Sequence, residues 1–332
     1  MDRQERNDIR LQARANIAEA AYNPRKLMLL HTGLILLVSL LAAAVQYLLG
    51  REIDNAGGIS GLGMKSLLST AQSVLQIAQL VLIPVWEMGL LYAALQLARG
   101  RSAYPADLAA GFRRFFATLR LHLVKSGIFM IIGFISFYIG TAAFFATPFA
   151  LPITQQLQPL LSDEALLQNP AALQALLTPV IEANIVPLAI FIGVVFVAIS
   201  LPFYYRYRMA AYYLLDETEK GAVAALRASR KLMRFLCMDL FKLDLKFWLY
   251  YLLDLLITAV CYGDMLLPLL GIQLPFNGDA AYFIFLVAYA ILQLVLYCWK
   301  RTEVEVTYAG AYCFLRNAFN PLKTENDGQT AT

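Results

Sequence analysis

Residues 201–248 read LPFYYRYRMAAYYLLDETEKGAVAALRASRKLMRFLCMDLFKLDLKFW. A hydrophobic span ends here in an aromatic–basic cluster, Tyr204-Tyr205-Arg206-Tyr207-Arg208, of the kind that anchors a helix at a bilayer interface. An acidic turn follows, in which Asp216 and Glu219 have capping-box spacing for a helix over about 217–236. In that helix Arg227, Lys231 and Arg234 form a wet stripe, and Ala222, Leu226, Ser229, Met233 and Leu236 a dry one. Near Leu245 the chain turns apolar again and re-enters the membrane. The rest of the chain repeats this unit with variations.

Composition places the whole chain in the same class. Of its 332 residues 60% are hydrophobic and 15% charged, where a soluble domain has roughly a quarter charged. Mean hydropathy is +0.60. A soluble fold cannot hide that much apolar surface, so a polytopic membrane protein is expected. The basic residues lie beside apolar spans and form no single long face, which argues against nucleic acid as a partner. Cys237, Cys261, Cys298 and Cys313 are scattered and form no C-x-x-C, so neither a structural disulfide nor a zinc site is expected. The first 26 residues are polar and charged, and the apolar run after them is long enough to span, so no cleavable signal peptide is read.

Six spans emerge, at about 27–49, 71–98, 123–147, 187–205, 245–268 and 281–299. A first amphipathic helix precedes them at 3–22, with Arg6, Arg10 and Arg14 on one face and Ile9, Ala13 and Ile17 on another; Asn23-Pro24 ends it. A second is expected at 105–121, where Phe112, Phe115, Phe116 and Leu119 share a face. Pro84 interrupts the second span and predicts a kink. Gly57, Gly58, Gly61 and Gly63 make the first loop flexible by composition. Ser126, Gly133 and Gly140 put small residues along one side of the third span, a surface for close helix packing. The loop at 148–186 carries no Lys or Arg; Asn169-Pro170 reads as a helix start, with Leu173, Leu176, Leu177 and Val180 on one face. Residues 321–332 form a polar tail without packing signals.

Charge then orients the spans. Of 27 Lys and Arg residues, 25 fall in alternate segments and 2 in the others, which by the positive-inside rule puts both termini in the cytoplasm. The expected fold is an all-α integral membrane protein: one domain over 1–320, six transmembrane helices, and three cytoplasmic amphipathic interfacial helices, one before each pair of spans.

Several motifs carry a family resemblance. They are Gly89-x-x-Tyr92, Asp107-Leu108-x-x-Gly111-Phe112, Ala225-Leu226-Arg227-x-Ser229-Arg230-x-Leu232-Met233, Leu243-Asp244-Leu245, and Thr307-x-Ala309 with Tyr312. On these, residues 1–320 resemble a family of bacterial integral membrane proteins catalogued as domain of unknown function 975. They are also distantly similar to the membrane region attached to some glycerophosphodiester phosphodiesterases. The pattern departs at Arg234-Phe235, where the family has a Gly-Asn-Lys-like turn, and at the adjacent Phe247-Trp248. The resemblance implies a multi-pass protein of a bacterial plasma membrane and carries no catalytic residue with it.

A carboxylate within a span costs about 2.5–3.5 kcal/mol on insertion scales and faces protein or water. Glu87 and Asp254 are the two candidates, and together they define a possible intramembrane polar centre. Glu87 can bind a cation, carry a proton or contact a headgroup; the alternative is a buried carboxylate, neutral or paired with a hydroxyl or backbone group. His31 lies about one turn inside the first span, where it can snorkel. Arg206, Arg208, Arg227, Lys231 and Arg234 are candidate contacts for anionic headgroups, against a purely topogenic role. With two histidines, no H-E-x-x-H and no phosphate loop, the sequence offers no catalytic, cofactor or metal motif. The expectation is a non-enzymatic membrane protein that binds or moves a small or lipid-like molecule or supports membrane integrity. Its partner is a bilayer with anionic headgroups. A scaffold for another membrane protein, or an oligomer, is the alternative; a lipid-modifying enzyme is the weakest reading.

Overall fold

The computed structural model describes residues 1–55, 61–162, 170–217, 221–263, 267 and 278–319. Among them all regular structure is helical. The helices are α1 (Arg3–Glu19), α2 (Pro24–Asn55) and α3 (Gly61–Ala98), then a 3-10 turn (Pro105–Ala109), α4 (Ala110–Arg113) and α5 (Phe115–Phe145). A second 3-10 turn (Pro148–Ala150) leads to α6 (Leu151–Ser162), α7 (Pro170–Arg208), α8 (Ala210–Asp216), α9 (Ala222–Leu232) and α10 (Cys237–Asp244). A third (Leu245–Phe247) precedes α11 (Trp248–Cys261), followed by α12 (Gly278–Leu296), a π-helical turn (Tyr297–Arg301) and α13 (Thr302–Phe319).

Local chemistry sets several of these ends. Asp2 and Glu5 form a reciprocal capping box at the start of α1. Pro24 is the first residue of α2, where a missing N–H costs nothing, and the Asn23 side chain accepts from the Arg25 amide at 2.9 Å. α3 contains Pro84 within its length.

Among the described residues five helical stretches are long and apolar enough to cross a bilayer: Pro24–Ile53, Met64–Ala98, Phe115–Phe145, Ile185–Asp216 and Ala280–Ala318. Their flanks expose large apolar side chains, among them Leu37 and Leu41 on α2, Ile77 and Leu80 on α3, Phe134 and Tyr138 on α5, and Val194 on α7. Such continuous apolar faces suit lipid. These helices mark a multi-pass membrane protein.

The expected fifth span, at 245–268, is shorter as described. Leu245–Phe247 form a 3-10 turn, and α11 has 14 residues, a rise of about 21 Å against a hydrocarbon core of about 30 Å. Asp264 and Pro268, where this span was expected to end, lie outside the described residues. So do Gly57, Gly58, Asn169, Glu219 and the tail 321–332.

Other expectations are corrected. The helix expected at 105–121 is broken at Arg114, and its second half, from Phe115, is continuous with α5. The loop at 148–186 carries α6 and the first part of α7, and α7 runs through Pro179, Pro187 and Pro202. Asp216 does not cap the helix that follows: α9 starts at Ala222 behind Gly221, which makes no side-chain cap. The Asp216 carboxylate is occupied elsewhere, as described below. Along the small-residue stripe only Gly140 is tightly packed, against the Ile192 backbone; Gly133 meets nothing within 4 Å and Ser126 is exposed.

The chain divides into two compact units, Met1–His122 with Arg208–Thr332, and Leu123–Tyr207. The second is built on α5, α6 and α7. Phe144, Ala150, Ile153 and Val180 are buried together against Leu188 and Phe191, with the Phe144 and Phe191 rings edge-to-face at 5.6 Å.

The first unit is organised around α13. Tyr308, Ala309, Ala311 and Tyr312 are fully buried, and α1, α3 and α9 pack on this helix. α3 is held to the turn after it by two glycines. A Cβ on Gly89 would stand 1.9 Å from the Leu108 carbonyl oxygen, and one on Gly111 1.9 Å from that of Val85. Backbone approach this close excludes any side chain. α1 closes the C-terminal end of α3, where the Asn16 amide donates to the Leu97 and Ala98 carbonyls at 2.9 and 3.2 Å, satisfying terminal helix acceptors.

Asp216, at the end of α8, ties the unit together. It accepts from Arg99 at 2.5 Å and from the Tyr312 hydroxyl at 2.9 Å, and it pairs with Arg316. Burial alone would push the Arg99 guanidinium down; the hydrogen bond and charge of Asp216 more than offset this and raise it.

Gly89→Ala and Gly111→Ala are each expected to destabilise the protein by about 1–3 kcal/mol, through overpacking against backbone. Gly127→Ala, where nothing lies within 4 Å, should be neutral or stabilising. Thermal unfolding of the detergent-solubilised chain reads the contrast. Asp216→Asn should cost about 3 kcal/mol in the same assay, because it takes the carboxylate from Arg99 and leaves Arg316 with Glu217 at 3.6 Å.

Candidate functional site

Glu87 does not pair with a hydroxyl or the backbone. Its carboxylate accepts from Arg301 Nη2 at 2.6 Å, and Arg301 Nε stands 3.7 Å from Glu305. The Arg301 guanidinium also lies 4.3 Å from the Tyr297 ring centroid. Glu87 and Arg301 are on the wall of a cavity of about 300 Å3, between α2, α3 and the α12–π segment. Thr32, Ile35 and Ser39 line it from α2, and Tyr289, Gln293 and Tyr297 from the opposite side.

The stripe Tyr289, Gln293, Tyr297, Arg301 and Glu305 repeats every four residues. In an α-helix a four-residue step advances about 400°, so such a stripe drifts by about 40° per step. The π turn at Tyr297–Arg301 widens the helix locally and takes back part of that drift, keeping Arg301 on the face that meets Glu87. The spacing was legible in the sequence. Its partner was not, because Arg301 follows Trp299 and reads as a charge outside the span.

Asp254 does not line this cavity. It reaches it at one remove: the Gln293 side-chain amide donates to the Asp254 carboxylate at 2.8 Å. Gln293 is 4% exposed and its amide oxygen has no hydrogen-bond partner among the described residues. The two carboxylates of the expected polar centre therefore belong to one neighbourhood, with Gln293 between them.

His31 does not snorkel. It is fully buried, with Nε2 3.3 Å from the Trp86 carbonyl oxygen, on the residue before Glu87. Arg208 also departs from its expected role. Its guanidinium stacks 3.7 Å from the centroid of the buried Tyr308 ring, so it serves the interior of the first unit. Tyr308 in turn shares a 2.9 Å hydroxyl contact with Tyr251, which donates to Asp244 at 3.2 Å. Arg227, Lys231 and Arg234 are exposed, while Ala222, Leu226, Ser229 and Met233 are buried. Arg206 is half-buried, 5.9 Å from the Phe203 ring centroid.

The sequence reading passed over Glu303. It accepts from Arg10 at 3.0 Å, Arg14 at 2.8 Å and Lys300 at 2.5 Å, and so joins α1 to α13. Among the described residues no three His, Cys, Asp or Glu side chains gather as metal ligands, and none of the four cysteines is in a disulfide.

The family model of the proteins of unknown function termed DUF975 matches residues 1–302. No curated protein and no solved structure matches the chain. An unbroken match over nearly the whole helical chain leaves one conclusion: this multi-pass protein belongs to the DUF975 family.

Proposed function

We propose that this chain is a non-enzymatic protein of the bacterial plasma membrane that binds, and in doing so can move, a small or lipid-like molecule in the Glu87–Arg301 cavity. The observation that carries the reading is the wall of that cavity. It sets a carboxylate–guanidinium pair, two tyrosines and the unpartnered Gln293 oxygen against the apolar Ile35, Leu36 and Ile83. An amphipathic ligand suits such a lining. Arg301 is already engaged by Glu87 and, off the wall, by Glu305, while the Gln293 oxygen has no partner among the described residues, so a ligand with an ammonium or hydroxyl donor fits better than an anion. Ion pairs inside a membrane segment are costly to maintain, which favours use over ornament.

In this reading the chain has six spans, α11 and the residues after it supplying the fifth, with α1 and α9 at the cytoplasmic surface and both termini inside. The likeness to membrane regions attached to glycerophosphodiester phosphodiesterases supports a lipid-facing role and adds no hydrolase chemistry. A scaffold role is the second reading. It is favoured by Gly127 and Gly133 on α5, which leave room within 4 Å for the backbone of a partner helix.

Arg301→Gln alone should destabilise the protein by about 3–5 kcal/mol, and more than Glu87→Gln/Arg301→Gln together, because the single change strands a carboxylate. A thermal-shift screen of amphipathic amines and lipids should find ligands that stabilise the wild type and not Glu87→Gln/Asp254→Asn. If the double variant keeps every ligand response and every phenotype of the wild type, the cavity is not the site. Reporter fusions test the topology: those at Arg51 or Lys65 should report the outer face, and those at Arg101 or Arg227 the cytoplasm.

A further inference from the structure

A second cavity in the first unit, of about 590 Å3, lies at the elbow where α1 hands over to α2. Its wall holds Arg14 and Arg25, the small apolar Ala18 and Ala21, and Trp299 and Thr302 from the α12–α13 junction. Its charge is unbalanced. The one carboxylate on the wall, Glu303, already accepts from three cations, Arg10, Arg14 and Lys300. Arg25 faces the same space, is exposed, and has no ion pair among the described residues. On the wall itself two guanidinium groups, Arg14 and Arg25, thus face one carboxylate that is already satisfied.

A second observation points to a ligand. Thr302 is 8% exposed and lines the cavity, and its buried hydroxyl has no hydrogen-bond partner among the described residues. The position in the chain fits as well. The cavity lies where Arg25-Lys26 gives way to the apolar Leu27, and the Trp299 side chain, itself exposed, shares the wall. Basic and aromatic residues beside the start of an apolar run are the side chains that lipid headgroups meet.

We propose that this elbow is a binding site for a phosphate-bearing anion, with Arg25 and Arg14 as the charged contacts and Thr302 as the hydroxyl partner. The phosphate of an anionic phospholipid and a free phosphate ester share this chemistry. The site is separate from the Glu87–Arg301 cavity, whose acceptors suit a ligand of opposite charge. It also differs from a diffuse basic surface such as the exposed stripe of α9, because Glu303 on its wall holds Arg14 in place.

The test uses the full chain in neutral detergent and native mass spectrometry with phosphatidylglycerol, phosphatidylcholine, glycerol phosphate and inorganic phosphate. The wild type should bind phosphatidylglycerol saturably and in preference to phosphatidylcholine. Arg25→Gln, which breaks no ion pair and should fold, is expected to weaken binding about fivefold; Arg25→Lys should retain it. Arg227→Gln/Lys231→Gln on α9 should leave it unchanged. Binding of glycerol phosphate or inorganic phosphate that matches the lipid and shares the Arg25 dependence would assign a soluble phosphate; a clear preference for the lipid assigns a headgroup. The proposal is overturned if none of these anions binds saturably, if Arg25→Gln binds like the wild type, or if the α9 variant weakens binding as much as Arg25→Gln does.

Discussion

A charge that packing takes out of water has to find its counter-charge inside the protein. α13 and the π turn before it carry Arg301, Glu303, Glu305 and Arg316, and each of the four has a partner of opposite sign. The partners come from elsewhere in the chain: Arg10 and Arg14 of α1, Glu87 of α3, and Asp216 of α8. The first unit is therefore assembled by ion pairing around one helix. Close backbone contacts, Gly89 on Leu108 and Gly111 on Val85, hold α3 to the segment after it within the same unit.

This arrangement explains why two cavities of opposite character lie along the same segment. At the Glu87 end, one guanidinium faces two carboxylates, and Asp254 stands behind Gln293; the surplus is negative. At the Glu303 end, one carboxylate faces three cations, with Arg25 nearby; the surplus is positive. The π turn at Tyr297–Arg301 separates them. Widened turns of this type disturb the regular hydrogen-bond ladder and recur at functional sites. Here the turn keeps the Tyr289–Arg301 stripe on one face while α13 is redirected to meet α1.

Aromatic residues do in the interior what acids do nearer the surface. Arg208 ends the longest helix of the chain in a region rich in tyrosine, and it lies over Tyr308. Reading Tyr-Arg-Tyr-Arg as an interfacial anchor located the end of the span, and the same letters also describe a guanidinium stacked in a core. Local sequence does not distinguish these outcomes. A guanidinium over an aromatic face and one in a headgroup layer are both satisfied, and only the position of α13 decides between them.

The sequence by itself determined the class of fold and the places where chains of apolar residues run. Hydropathy, helix punctuation at Pro24 and charge spacing act locally, so they survive without knowledge of contacts. It also determined that Glu87 and Asp254 are the carboxylates that need an explanation, because the cost of a charge in a span depends on depth alone. What only the tertiary structure decided is who answers them. Arg301 lies 214 residues from Glu87 in the chain, and Asp216 bonds Tyr312 across 96 residues. Pairing at such separations leaves no periodicity to read. The break at Arg114 and the 3-10 turn at Leu245–Phe247 were hidden for the same reason: helices end where packing elsewhere makes it worth ending them, and intrinsic propensity is too weak to mark the point.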